Sequence, residues 1–189
     1  MDAFLTSTAV VALAEIGDKT QLLAILLAAR FGRPWPIVLG ILAATLANHA
    51  LAALLGREAA QLLEGPWFRW AVAASFLAMA AWTLVPDRLE EGERKAARHG
   101  AFLTTLVCFF LVEMGDKTQV ATVALGAQFQ SVLWVTLGTT LGMLLANAPA
   151  VWFGQALLRR VPLRAVRIAA ALLFLALGLW LGAETAGWL

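Results

Sequence analysis

The chain has 189 residues, 61% of them hydrophobic and only 14% charged, with a mean hydropathy of +0.81. This composition excludes an ordinary soluble globular domain and indicates an integral membrane protein embedded in a lipid bilayer. A formal charge of +2 and a pI near 9.2 do not signal nucleic acid here, because most arginines flank apolar runs, where they set orientation.

A transmembrane helix needs about 20 apolar residues, and six stretches qualify: 3–29, 35–56, 67–86, 101–127, 131–155 and 163–187. The first begins at Met1-Asp2-Ala3-Phe4 without a basic n-region or a cleavage site, so it reads as a retained span and not a signal peptide. Breaks fall at Gly32-Arg33-Pro34, Glu64-Gly65-Pro66, Pro86 to Gly100, Gln128 to Ser131 and Arg159 to Pro162, each joining Gly, Pro or charge to an apolar run. Cys108, the single cysteine, lies within the fourth stretch as a small core residue. With the N-terminus on one side, that side carries Arg57 and Arg69. The other collects Arg30, Arg33, Arg88, Arg94, Lys95, Arg98, Arg159, Arg160, Arg164 and Arg167 and is therefore cytoplasmic. Both termini are then expected outside the cytoplasm, in the inner (plasma) membrane.

The segment Glu15-Ile16-Gly17-Asp18-Lys19-Thr20-Gln21 returns 98 positions later as Glu113-Met114-Gly115-Asp116-Lys117-Thr118-Gln119. Val38-Leu39-Gly40 resembles Thr136-Leu137-Gly138, Leu46-Ala47-Asn48 resembles Leu145-Ala146-Asn147, and Trp82 matches Trp180. Three spans per half is an odd number, so the second half enters the membrane in the opposite direction. The expected fold is all-α, with six transmembrane helices as two inverted three-helix repeats. Residues 1–86 form the first repeat, 87–100 a cytoplasmic linker and 101–189 the second, within one compact membrane domain. Such architectures place a substrate site near the bilayer midplane, between the repeats.

Ionisable groups at membrane depth cost about 2.5–3.5 kcal/mol each on insertion scales and mark ion or proton routes. On a continuous helix Glu15 and Asp18 share a stripe, as do Glu113 and Asp116, with Gln21 and Gln119 a turn further on. Lys19 and Lys117 stand four residues after Glu15 and Glu113 and are expected to neutralise part of their charge. Four carboxylates against two ammonium groups leave a deficit of two charges, which two protons or one divalent metal would restore. The expected metal ligands are Glu15, Asp18, Glu113 and Asp116, all hard oxygens suited to Mn²⁺ or Ca²⁺ and unlike a Cys/His site.

Asn48 and Asn147 are candidates for added amide ligands or for interhelical hydrogen bonds. Thr20 and Thr118 read as backbone or packing partners more than as ligands. Gly17 and Gly115 permit close helix approach or a local bend, with close packing favoured. Gly138 and Gly142 form a small-residue packing face. His49 has no counterpart, Ala148 standing in its place, so a symmetric metal site does not need it, and a proton-relay role is its alternative reading. Glu184 is expected at the membrane interface, and Trp35, Trp67 and Trp188 as interface anchors.

The two complete E-x-G-D-[KR]-[TS] segments, Glu15 to Thr20 and Glu113 to Thr118, resemble those of the GDT-one family of membrane cation/proton antiporters, related to the lysine-exporter superfamily. The resemblance extends over nearly the whole chain through the six-span arrangement. It implies exchange of Mn²⁺ or Ca²⁺ for H⁺, the metal being a transported substrate and not a bound cofactor. It also implies a bacterial manganese exporter rather than an enzyme. An exporter of another small solute, or a metal-dependent membrane enzyme, are the alternative readings.

Overall fold

The computed structural model describes residues 2–63, 65–86, 100–154, 156 and 161–188, and every regular element among them is a helix. In chain order these are α1 (Ala3–Glu15), α2 (Lys19–Phe31), α3 (Pro34–Leu62), α4 (Pro66–Thr83), α5 (Ala101–Glu113), α6 (Lys117–Phe129), α7 (Val132–Phe153) and α8 (Leu163–Thr185). By length and composition α3, α7 and α8 can each cross a membrane. Their starts follow local chemistry: Asp2 caps α1 by accepting from the Phe4 and Leu5 amides, and prolines open α3 and α4, where no intrahelical N–H is required. The expected linker at 87–100 lies, apart from Gly100, outside the described residues, as do Arg159 and Arg160.

Two of the six expected spans are not single helices. Residues 3–29 and 101–127 each divide into two 13-residue helices that meet at the repeated charged segment. The physical cause is the central glycine: Gly17 and Gly115 adopt φ of +83° and +78°, a left-handed backbone that side-chain-bearing residues enter at a cost of about 1–2 kcal/mol. The stripe expected on a continuous helix is therefore corrected. Glu15 and Glu113 are the last residues of their helices, whereas Asp18 and Asp116 are N-cap residues of the next. Gln21 and Gln119 do not extend a stripe; their Oε1 atoms turn back to accept from the Gly17 and Gly115 amides at 2.8 and 2.6 Å. Both glycines make the bend, and close packing accompanies it at Gly17, where a Cβ would stand 2.7 Å from the Leu163 side chain.

Each broken pair is clasped by the long helix of the other half: α7 lies along α1 and α2, and α3 along α5 and α6. Small residues allow the approach. A Cβ on Gly138 or Gly142 of α7 would stand 2.5 Å from the Phe4 carbonyl oxygen or 2.7 Å from that of Thr8, both on α1. Gly40 of α3 is equally tight against Phe102 of α5, as backbone-close helix packing in membranes requires. The helices α4 and α8 pack together, with Phe76 facing Phe174 at 6.5 Å, and rest against α6 and α1.

Two apolar cores result. One gathers Phe76, Met79, Leu125, Phe174 and Leu181; the other gathers Leu23, Leu27, Ile41, Phe109 and Met143, with Cys108 buried among them. The second charged segment sits where the chain leaves one core in α5 and enters the other in α6. Polar groups are thereby held between two packed regions.

Candidate cation site

The helix breaks aim the ends of four helices at one place. Glu15 and Glu113 are fully buried, and Asp18, Asp116 and Lys117 nearly so. One carboxylate oxygen from each of Glu15, Glu113 and Asp116 lies within 4.8 Å of the other two. Ligands that share a divalent cation through bonds of 2.0–2.6 Å stand about 3–5 Å apart, so these three fit one hard cation. Glu15 Oε1, Glu113 Oε1 and Asn147 Oδ1 are buried without a hydrogen-bond partner. Buried acceptors left in that condition cost free energy unless something binds them.

Asp18, the fourth expected carboxylate, is not in this trio. It lines a narrow cavity to one side together with Gly17, Thr83, Val85, Lys117 and Arg167. The lysines also depart from expectation. With the helix broken, the four-residue spacing no longer sets the pairing, and Lys19 Nζ lies 3.4 Å from Asp116 Oδ1 in the opposite repeat. Lys117 Nζ donates to the Val85 carbonyl at 2.9 Å and stands over the Trp82 ring at 5.9 Å.

The threonines do more than pack. Thr20 donates its hydroxyl to Glu15 Oε2, and Thr118 donates to Glu113 Oε2 at 2.9 Å, so each motif orients its own glutamate. The asparagines cross between halves. Asn147 Nδ2 donates to Glu15 Oε2 at 3.3 Å and to the Met143 carbonyl at 3.1 Å, while Asn48 Oδ1 accepts from Gln119 Nε2 at 2.7 Å. Gln21 Nε2 donates to the Ala146 carbonyl at 2.7 Å, next to Asn147. Interhelical hydrogen bonding is thus what both asparagines do here.

His49, set aside by the symmetry argument, is fully buried with Nε2 3.9 Å from Glu113 Oε2. Its position within an apolar span beside Asn48 was the available signal. Leu163 over Gly17 and the Val85 carbonyl at Lys117 carried no such signal, since one is an ordinary apolar residue and the other contributes only backbone. Away from the centre, Glu184 Oε1 pairs with Arg69 Nη2 at 2.7 Å, joining α8 to α4. Trp35, Trp67 and Trp188 are all exposed, as anchors at an interface would be.

Apolar helices of membrane-crossing length around a buried, ionisable oxygen cluster define an ion-handling membrane protein, for charges at such depth mark ion pathways. The profile of the family described as "Divalent cation/proton antiporter GDT1" matches residues 3–91 and 101–188, and the chain belongs to that family of membrane transporters. The chain is 50% identical over 180 residues to a Vibrio cholerae protein named "Putative manganese exporter", covering 95% of this chain and 90% of the relative. It is 29% identical to "GDT1-like protein 4" of Oryza sativa subsp. indica, over 94% of this chain and 72% of the relative. Identity to "GDT1-like protein 5" of Arabidopsis thaliana is 26%, over 95% and 94% of the two chains. No solved structure matches.

Proposed function

We propose that this protein exports Mn²⁺ in exchange for H⁺, with Ca²⁺ as the other candidate cargo, through a site made by the acidic residues of the two charged segments. The observation that carries the reading is the convergence of Glu15, Glu113 and Asp116 oxygens within 4.8 Å, with both glutamates fully buried. Three carboxylates and the Lys19 ammonium leave excess negative charge at the trio, which a divalent cation or protons neutralise. Competition of the two for the same oxygens couples their movements: cation binding displaces protons, and protonation releases the cation. Lys19, already beside Asp116, is placed to hold that carboxylate between cations. Asp18, which lines a narrow cavity with Lys117 and Arg167, is assigned in this reading to the approach to the trio. Asn147 and the two threonines orient the glutamates, while Asn48 and Gln119 brace the second segment.

The six-span arrangement of two inverted repeats is part of this reading. Phe4 at the start of α1 packs on Trp134 at 6.2 Å, near the start of α7, and Trp35 at the start of α3 packs on Trp152 at 5.5 Å, near the end of α7. Gly40, in the second turn of α3, faces Phe102 at the start of α5. These contacts support α1 and α5 beginning at opposite ends of the molecule, as inverted halves 1–86 and 101–189 require. The arginine bias supports a bacterial inner membrane with both termini outside the cytoplasm. Relatedness to the Vibrio cholerae protein supports manganese.

The test is Mn²⁺ and Ca²⁺ flux into sealed proteoliposomes under an imposed pH gradient. The natural protein moves Mn²⁺ when the gradient is applied, and Glu15→Gln and Glu113→Gln, folded by circular dichroism, do not. Undiminished flux in both variants overturns the site.

A further inference from the structure

Threonine in an apolar helix ordinarily satisfies its hydroxyl locally, by donating to the carbonyl four residues back. Thr8, Thr105, Thr122, Thr139 and Thr185 all do so here. Two threonines of α7 do not: Thr136 and Thr140 are 5% and 4% exposed, and neither hydroxyl has a hydrogen-bond partner among the described residues. They stand one turn apart on a single face of α7, which Met143 and Asn147 continue. At one end of that face Thr136 lines an open cavity of about 530 Å³ between α3 and α7, together with Ala50, Arg57, Gln130 and Ser131. The Arg57 guanidinium is paired with Glu58 at 2.6 Å, so the mouth presents no unbalanced positive charge from it. At the other end Asn147 Nδ2 donates to Glu15 Oε2, while Asn147 Oδ1 and Glu15 Oε1 are buried and without a hydrogen-bond partner among the described residues. Met143 lies between the two ends, fully buried, with Sδ 2.8 Å from Asn147 Nδ2. The matching positions of α3 are apolar: Val38 aligns with Thr136, and Thr140 aligns with Ile41 or Leu42 on either side of the one-residue insertion.

We propose that this face of α7 is the outward leg of the cation's route, a water-filled passage from the cavity past Thr136 and Thr140 to Met143, which closes it off from Asn147 and Glu15 in this structure. The inference rests on the cation-site reading above and adds the path by which that site meets the outside. A buried hydroxyl without a local partner costs free energy unless water or an ion uses it, and polar groups at membrane depth persist where they line water. Hydroxyl oxygens can stand in for the waters of a hard divalent cation, which an apolar wall cannot do. Met143 is unbranched, with three rotatable bonds, so its side chain can swing aside while α7 stays in place. The apolar residues at the matching positions of α3 give the opposite direction a different wall, so the hydroxyl-lined leg belongs to one half alone. Its mouth lies at the end of the molecule where α1 and α7 begin, with Phe4 against Trp134, the extracytoplasmic end in that reading.

The test is cysteine accessibility in spheroplasts expressing the full chain, with its single native thiol removed by Cys108→Ala. A charged, membrane-impermeant methanethiosulfonate reacts with thiolate in water, so labelling reports hydration from the outer side. Thr136→Cys and Thr140→Cys are expected to label about tenfold faster than Leu141→Cys, whose position is exposed on another side of α7, and to label more slowly in everted vesicles. In proteoliposomes Thr140→Val, which keeps the shape and removes the hydroxyl, is expected to lower Mn²⁺ flux about fivefold, while equilibrium Mn²⁺ binding in detergent changes by less than about twofold. That split separates a route from a ligand, and a hydroxyl that only packs moves neither. Labelling of Thr140→Cys no faster than Leu141→Cys, or only from the everted side, overturns the leg and leaves the carboxylate site standing. Unchanged flux in a folded Thr140→Val variant does the same. Absence of both Mn²⁺ binding and Mn²⁺ flux in the natural protein overturns the site itself, and the cargo of the leg with it. If Cys108→Ala does not fold, the same variants carry Cys108 and the labelling of the natural chain is subtracted.

Discussion

The two charged segments share residue types at nearly every position and break their helices at the same place, yet they have different neighbours. At the first, Glu15 accepts from Thr20 and Asn147, and the bend at Gly17 is roofed by the Leu163 side chain. At the second, Glu113 accepts from Thr118 and faces His49, and none of the described residues lies within 4 Å of where a Cβ on Gly115 would sit. The difference traces to α4 and α8. The beginning of α8 reaches the first segment, whereas the second is met by the chain following α4, through the Val85 carbonyl. Local sequence sets the backbone; the third long element of each half makes two equal segments unequal. A repeat can therefore conserve a scaffold while its two copies divide the work.

The largest expected effect is one in which the inequality disappears. Both glutamates contribute an oxygen to the same trio, so Glu15→Gln and Glu113→Gln are each expected to reduce metal flux by about 100-fold or more, since even partners one shell removed from a metal cost 10–100-fold. Equal losses say the two copies meet in one site. Loss in only one variant would mean that the segments serve separate sites, and the comparison would have to be redrawn.

The aspartates sharpen the contrast instead. Asp116 belongs to the trio and has Lys19 beside it, while Asp18 lines the side cavity with Lys117 and Arg167. Asp116→Asn is expected to lower flux about tenfold more than Asp18→Asn, the difference between a ligand and a residue on the approach. The check is the dependence of initial flux on Mn²⁺ concentration: Asp116→Asn raises the half-saturating concentration, and Asp18→Asn lowers the rate with less change in it. Equal behaviour of the two variants would return Asp18 to the ligand set.

Much of this was legible in the chain because its signals were local or periodic. The apolar composition, the repeated segment and the small residues Gly138 and Gly142 are patterns along a sequence, and an all-helical fold with close contacts at those glycines follows from them. The break at Gly17 and Gly115 is not fixed by the sequence because glycine in an apolar helix has two common uses, close packing and a positive φ, and only the surrounding chain selects between them. That ambiguity propagated: a continuous helix put four carboxylates in two stripes and paired each lysine with its own glutamate. Once the helix breaks, Asp18 caps α2 outside the trio and Lys19 reaches the opposite repeat.

The smallest effect separates the two bends themselves. Gly17→Ala and Gly115→Ala both place a side chain at a positive φ, at a cost of about 1–2 kcal/mol apiece. Only the first also brings its new Cβ to 2.7 Å from Leu163, so that side chain must shift or the start of α8 must move away; the second meets none of the described residues within 4 Å. Thermal unfolding in detergent should therefore rank the natural protein first, Gly115→Ala next and Gly17→Ala lowest. Shortening the roof tests the cause: in a Leu163→Ala background the added penalty of Gly17→Ala is expected to shrink to that of Gly115→Ala, a coupling that a double-mutant cycle reads directly. A gap between the two glycine variants that persists without the leucine would place the inequality in the bends, and not in the helix packed over one of them.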